Sequence, residues 1–243
     1  MAKIKYGGGV AEIRGQLVGN IFSRNTAGAY VRGYSTPIQP ETPAQLANRL
    51  RFADTSGAWG GLDAAQKTAW NKLQLPKQDN IGNSYIVSGY QAFLAINKNR
   101  QLVGAAMKIT PPADTACDLE LMTLEIDTST ELVGPPARKK IMINFTNSPL
   151  LTGYRLIVSA TAKTTLGRTT QKGRERIIAI GADAQVTAWD VTSAYESYFG
   201  QMSADDVATV KIFFQVRAMK EENGVIKNLG RIGVVYGAVG EII

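Results

Sequence analysis

Three regimes of hydrophobic spacing follow one another along the chain. Over residues 1–43 the large apolar groups Val10, Ile13, Leu17, Val18, Ile21, Phe22, Tyr30, Val31 and Tyr34 stand among glycines and short polar residues without a helical period. The stretch ends in the proline-spaced run Thr36-Pro37-Ile38-Gln39-Pro40-Glu41-Thr42-Pro43. This pattern predicts an extended N-terminal arm. A segment that stays in water carries few large apolar groups, so either the arm folds back on its own helices or a neighbouring subunit covers it.

Residues 44–108 change to three- and four-residue spacing. Thr42-Pro43-Ala44-Gln45, Asp63-Ala64-Ala65-Gln66 and Ser88-Gly89-Tyr90-Gln91 each offer a short polar side chain that accepts from the backbone three residues on, while Gln reaches back. Pro43 suits the first helical position, where its missing N–H costs nothing. Helices are therefore predicted over 43–58, 64–73 and 89–101. Leu46, Leu50 and Ala53 give the first an apolar stripe, and Ala69, Trp70 and Leu73 do so for the second. Trp59, in the connecting turn, is expected to close over Trp70. Tyr90, Phe93, Leu94 and Ile96 line the third, with Gly104 as its stop. So short a segment buries little surface for its length and leans on the β domain or on a partner.

After Pro111-Pro112 the period becomes two. Leu119, Leu121 and Thr123, then Ile141, Ile143 and Phe145, then Tyr154, Leu156, Val158 and Ala160, then Val210, Ile212, Phe214, Val216 and Ala218 read as half-buried strands. Asn223-Gly224 suits a tight turn into a returning strand over 225–236, and a short helix opens at Ser193-Ala194-Tyr195-Glu196 and closes at Gly200. The predicted fold class is α+β: an extended arm over 1–43, a short three-helix segment over 44–108, and a C-terminal antiparallel β-sandwich over 109–243.

Composition narrows the chemistry. Among 243 residues there is no histidine, which removes the usual general base and imidazole metal ligand. The one cysteine, Cys117, cannot form a disulfide within the chain and fits a small apolar residue in a protein made in a reducing cytoplasm. The acidic pairs Asp205-Asp206 and Glu221-Glu222 fall where turns are expected, and no phosphate-cradling glycine motif occurs. An enzyme, a metal or a cofactor is not expected. No run of eighteen apolar residues occurs, and Lys3 and Lys5 are followed by glycines rather than an apolar stretch, so neither a membrane span nor a secretory signal is expected. Of the net charge of +7, residues 1–108 carry 13 Lys and Arg against 5 Asp and Glu, while residues 109–243 carry 14 against 15. The basic excess belongs to the first part and attracts acidic surfaces.

The run Arg14-Gly15-Gln16-Leu17-Val18-Gly19-Asn20-Ile21-Phe22-Ser23-Arg24-Asn25, with Gly28, Tyr30, Arg32, Pro37 and Thr42-Pro43-Ala44-Gln45, resembles the opening of a family of uncharacterised proteins from tailed bacteriophages and prophages. Trp59, Leu62, Gln66 and Trp70-Asn71 continue the likeness, and Asp190-Val191-Thr192-Ser193-Ala194-Tyr195 with Phe199-Gly200 stands where an inter-strand helix is expected. The resemblance implies an immunoglobulin- or fibronectin-III-like C-terminal domain and a place in the virion. Its motifs are structural and none is catalytic.

Three functional classes remain. In the first, a multi-copy virion subunit, most simply a capsid-associated decoration protein, anchors on capsid or tail proteins through Arg14, Leu17, Ile21, Phe22, Arg24, Tyr30, Arg32 and Tyr34. The basic connection that holds Lys163, Arg168, Lys172, Arg174 and Arg176 adds a second contact in that class, or else is a solvated tip balanced by Glu120, Glu125 and Asp127. In the second, Lys3, Lys5, Arg14, Arg24, Arg32, Arg49 and Arg51, interleaved with Tyr6, Phe22, Tyr30 and Tyr34, make weak contact with nucleic acid. The third is a tail or tail-fibre component whose sandwich binds a carbohydrate receptor on Trp189, Tyr195, Tyr198 and Phe199.

Overall fold

The computed structural model describes residues 2–3, 7–8, 12–25, 28–36, 41–73, 75–78, 84–117, 119, 124–132, 138–146, 152–169, 175–186 and 188–242. The chain forms two compact units, Met1–Asn48 and Arg49–Ile243.

In the first unit β1 (Ala2–Lys3), β2 (Gly15–Leu17), β3 (Asn20–Asn25) and β4 (Gly28–Gly33) form an antiparallel sheet in the order β1-β4-β3-β2. The stretch expected as an extended arm is extended in backbone but paired with itself. Its turns explain why. Val18 and Gly19 at φ +39° and +75° close the β2–β3 hairpin with two left-handed residues, the geometry that matches strand twist. Tyr34 N–H then bonds to the Gly19 carbonyl at 2.7 Å and ties down the end of β4.

Helix α1 (Pro43–Gly60) starts at Thr42, whose Oγ1 accepts from Gln45 N–H at 3.4 Å, and the unit boundary falls within this helix. Helices α2 (Ala64–Lys72) and α3 (Gly89–Leu102) both carry the predicted capping box. Asp63 accepts from Gln66 N–H at 2.7 Å and Ser88 from Gln91 N–H at 3.3 Å, and each Gln accepts in return. Between these helices β5 (Pro76–Gln78) and β6 (Ser84–Ile86) form a hairpin.

Two expectations for this layer are corrected. Trp59 sits inside the last turn of α1, which runs to Gly60, and packs on Tyr90 and Phe93 with ring centroids 5.6 and 5.4 Å away. Phe93 also takes Trp70 edge-on at 5.1 Å, so the two tryptophans flank Phe93 rather than closing on each other. The Leu46, Leu50 and Ala53 stripe is exposed, and α1 packs through Thr55, Ala58 and Trp59 instead. Burial of Thr55 is possible because its hydroxyl is satisfied, with Arg51 O at 2.7 Å and Gln101 Oε1 at 3.1 Å.

The remaining elements build two facing sheets, a separate two-stranded pair (Glu131–Leu132 with Arg138–Lys139) and a short helix. They are β7 (Leu124–Asp127), β8 (Glu131–Leu132), β9 (Arg138–Lys139), β10 (Met142–Phe145), β11 (Tyr154–Ala160), β12 (Thr164–Thr165), β13 (Arg176–Ile180), β14 (Trp189–Asp190), α4 (Thr192–Phe199), a 3₁₀ turn (Ala204–Asp206), β15 (Val210–Lys220), β16 (Val225–Val235) and β17 (Val239–Ile242). One sheet runs β14-β10-β7-β17; the other centres on β15, flanked by β16 on one side and by β11 and β12 on the other, with β13 beyond β11. Leu124, Ile126, Ile143 and Phe145 from the first sheet and Leu156, Val158, Ile212, Phe214 and Val216 from the second share one buried core. The fold is thus α+β with two antiparallel sheets about a common core. The expected strand residues Leu121 and Thr123 lie outside the described residues.

Two devices fix the sandwich corners. Tyr236 is fully buried, and its hydroxyl accepts from Lys139 N–H at 2.7 Å while donating to Lys139 O at 2.6 Å. Buried Thr128 donates to Ala238 O at 2.6 Å and accepts from Gly237 N–H at 3.0 Å, which turns the chain from β16 in one sheet to β17 in the other.

The helical core around Trp70 and the sheet core stay distinct, but polar bonds join them. Trp70 Nε1–H donates to Ile109 O at 2.8 Å, and Asn97 brackets Lys108 by donating to its carbonyl at 3.0 Å and accepting its N–H at 2.7 Å. Asn99 Nδ2 donates to Gly224 O at 2.9 Å, which seats the turn between β15 and β16 on α3. Asn223 is buried there, with its amide on Ala116 O at 2.6 Å.

Candidate functional site

The sheet of the first unit holds the residues singled out for anchoring. Register pairs Phe22 with Val31 and Gly15, and Leu17 with Asn20. Because successive strand residues alternate sides, Leu17, Phe22, Arg24 and Val31 share one face, and Ile21, Tyr30 and Arg32 the other. No side chain of residues 12–24 or 28–36 is buried. Leu17 is 61% exposed and Val18 91%, while Ile21, Phe22 and Tyr30 are half-covered and Tyr34 and Arg32 are open.

Val18 is the most informative of these. A β-branched residue at φ +39° pays for its left-handed backbone with roughly 1–2 kcal/mol. Asn or Gly would relieve that strain. An apolar side chain that is both strained and almost fully exposed is not explained by the folding of the hairpin.

Charge on this sheet is partly compensated. Arg14 Nε lies 2.9 Å from Glu12 Oε1, and Arg24 reaches the same oxygen at 3.9 Å. With Arg24 and Arg32 on opposite faces, the sheet does not gather its cations and aromatics on one side as a nucleic-acid platform requires. Lys5 and Tyr6 of that reading lie outside the described residues, as do Pro37–Pro40 of the arm.

The basic connection divides similarly. Arg168 is exposed in the turn after β12, its N–H on Thr165 O at 3.2 Å, and Lys172 and Arg174 lie outside the described residues. Among the described residues the connection makes two ion pairs. Lys163 Nζ is 2.6 Å from Asp206 Oδ2, and Glu175 pairs with Arg231 on β16. Asp127 instead accepts from Ser129 and Thr130, and Glu120 lies outside the described residues.

The aromatic platform is not assembled. Tyr195 is fully buried in the sheet core, tilted against Phe199 at 5.0 Å, with its hydroxyl on Thr161 O at 3.2 Å; burial pushes its phenol pKa up. Trp189 and Phe199 pack against the same core, leaving Tyr198 alone exposed. A sequence cue was present: Tyr195 and Phe199 are four apart on a helix, the spacing of a buried stripe.

Carboxylates are tied into structure as well. Burial opposes ionisation of Asp206, but hydrogen bonds from Lys163 and from Ser203 N–H (2.7 Å) and Oγ (3.1 Å) outweigh it and hold the group below its ordinary 3.8. Asp127 is likewise depressed: burial raises it, and bonds from Ser129 and Thr130 bring it lower. A depressed carboxylate contributes stability that is complete above its unfolded pKa and is lost as pH falls through its folded one. Stability is therefore expected to hold from neutral pH down to about 4 and to fall steeply below. Asp206→Asn should remove part of that acid slope and cost about 1–2 kcal/mol at pH 7, since the side chain is only 15% exposed. Urea melts of both proteins across this range check it; parallel slopes would refute it.

Among the described residues no group of three His, Cys, Asp or Glu side chains is arranged to hold a metal ion, and no helix is long and apolar enough to cross a membrane. No family model, curated protein or solved structure matches the chain.

Proposed function

We propose that this protein is a non-enzymatic structural component of a tailed-bacteriophage virion, a capsid-associated auxiliary protein that is anchored by its N-terminal sheet. The observation that carries the reading is that sheet itself. It folds, yet covers none of its large apolar groups completely, and it exposes a strained valine at its tip. Burying such groups against another subunit stabilises by about 25 cal/mol per Å², and repetition over many copies multiplies the effect through avidity.

The C-terminal body supports the same reading in a different way. Two antiparallel sheets over one core are compatible with an immunoglobulin- or fibronectin-III-like module, the kind of domain the sequence resemblance implies. Its conspicuous aromatics and carboxylates serve its own packing, so it acts as a displayed scaffold. Other virion subunits are the partners in this reading.

Deleting residues 1–40 is expected to leave a soluble, cooperatively melting protein that no longer enters particles. Val18→Asn should leave the melt unchanged or raise it while weakening incorporation. Normal incorporation of the truncated protein would overturn the reading. Retained binding to generic DNA that weakens with rising salt would favour the nucleic-acid class instead.

A further inference from the structure

Helix α1 has a second face. Leu46, Leu50, Ala53, Gly57 and Gly60 are all exposed, Leu50 at 63%, and they recur at intervals of four, three, four and three residues. That is the heptad rhythm of a helix–helix seam. At 3.6 residues per turn it lies opposite Thr55 and Trp59, the side by which α1 packs on α3.

Gly57 sharpens the point. Gly in a helix interior costs about 0.5–1 kcal/mol relative to Ala, yet a Cβ at Gly57 would meet nothing within 4 Å. Among the described residues Gly57 makes room for no neighbour in its own chain. A helix from another molecule, drawn close where the seam narrows from leucine to glycine, would use that room.

Charge selects the occupant. Arg49 and Asp54 are exposed on either flank of the seam, five residues apart. With Leu50 and Gly57 at the a positions of the heptad, Arg49 is a g residue and Asp54 the next e residue. In a parallel pair of helices g faces the e residue of the following heptad on the partner, so Arg49 meets Asp54 of the second copy twice over by two-fold symmetry. In an antiparallel pair g faces g and e faces e, which sets like charges together.

We propose that α1 is a self-association face, on which a second copy of this chain docks its own α1 in parallel through Leu46, Leu50, Ala53 and Gly57. Within the second unit the residues of α3 that pack on α1, Tyr90, Phe93 and Gln101, meet its opposite side. Two leucine layers make a weak dimer, one that forms at high concentration or when copies are already held side by side. The inference does not rest on the virion reading, and either can fail alone.

Sedimentation equilibrium of the full chain over a wide concentration range tests it. A monomer–dimer equilibrium is expected. Leu50→Gln and Gly57→Gln should each weaken it about tenfold or more, while circular dichroism melts of Gly57→Gln stay as high as the parent, because that position is exposed and gains helix propensity. Arg49→Glu and Asp54→Arg should each weaken the dimer, and the double variant should restore it. Ala53→Cys with Cys117→Ser should form an intermolecular disulfide under mild oxidation, as parallel register requires. A chain that stays monomeric throughout, or self-association unmoved by Leu50→Gln and Gly57→Gln, overturns the proposal. Failure of the double charge variant to restore the dimer overturns the parallel pairing, and with it the proposal.

Discussion

Replacing Trp70 with alanine is expected to cost about 3–5 kcal/mol of stability, read as a fall in the urea midpoint. The indole is fully buried, meets Phe93 edge-on at 5.1 Å and donates to Ile109 O at 2.8 Å. Alanine leaves a cavity in the centre of the small helical core and removes the hydrogen bond to the segment leading into the sheets. Trp70→Phe should recover much of the packing and lose the bond, for a cost of about 1–2 kcal/mol. A loss below about 1 kcal/mol for the alanine variant would mean that this core collapses around the gap.

The second large effect is expected at the turn between β15 and β16. Gly224 has φ +62°, and a Cβ built there lies 2.5 Å from Ile96 O, a backbone atom that cannot step aside. Gly224→Ala therefore combines left-handed strain of roughly 1–2 kcal/mol with overpacking of roughly 1–3 kcal/mol. A total of about 2–5 kcal/mol follows. Gly167→Ala is the control, because its Cβ meets nothing within 4 Å, and it should move stability by no more than about 0.5 kcal/mol. Equal effects at the two sites would show that α3 does not seat the turn.

Much of this architecture was legible because local rules and tertiary packing agree. The boxes at Asp63 and Ser88 mark helix starts by hydrogen bonds within four residues, so no distant contact can move them. Alternation along Val210–Lys220 survives because one face meets the sheet core along its whole length. Where reading by hydrophobicity failed, a satisfied polar group had taken the buried side. Thr55 is inside α1's packing and Leu50 outside, an inversion visible only once Gln101 is brought to the threonine hydroxyl. The N-terminal sheet was hidden for another reason: its strands are as short as two residues, and Val18 occupies a position where turn chemistry calls for Asn or Gly. Of the residues expected to mediate contact, the sheet brings together those of the arm. The aromatic set dissolves into core packing, because helical spacing placed Tyr195 inward.

The bond from Asn99 to Gly224 spans 125 residues, which sets a clock on the ribosome. At roughly 5–20 residues per second, α3 emerges about 6–25 s before the turn that will rest on it. Throughout that interval the end of α3 around Ile96 and Asn99 lacks its cover while the segment from Leu62 to Ile96 can already close around Phe93. The nascent chain thus carries a folded helical layer with one unfinished side. The last hairpin, on arriving, covers that side.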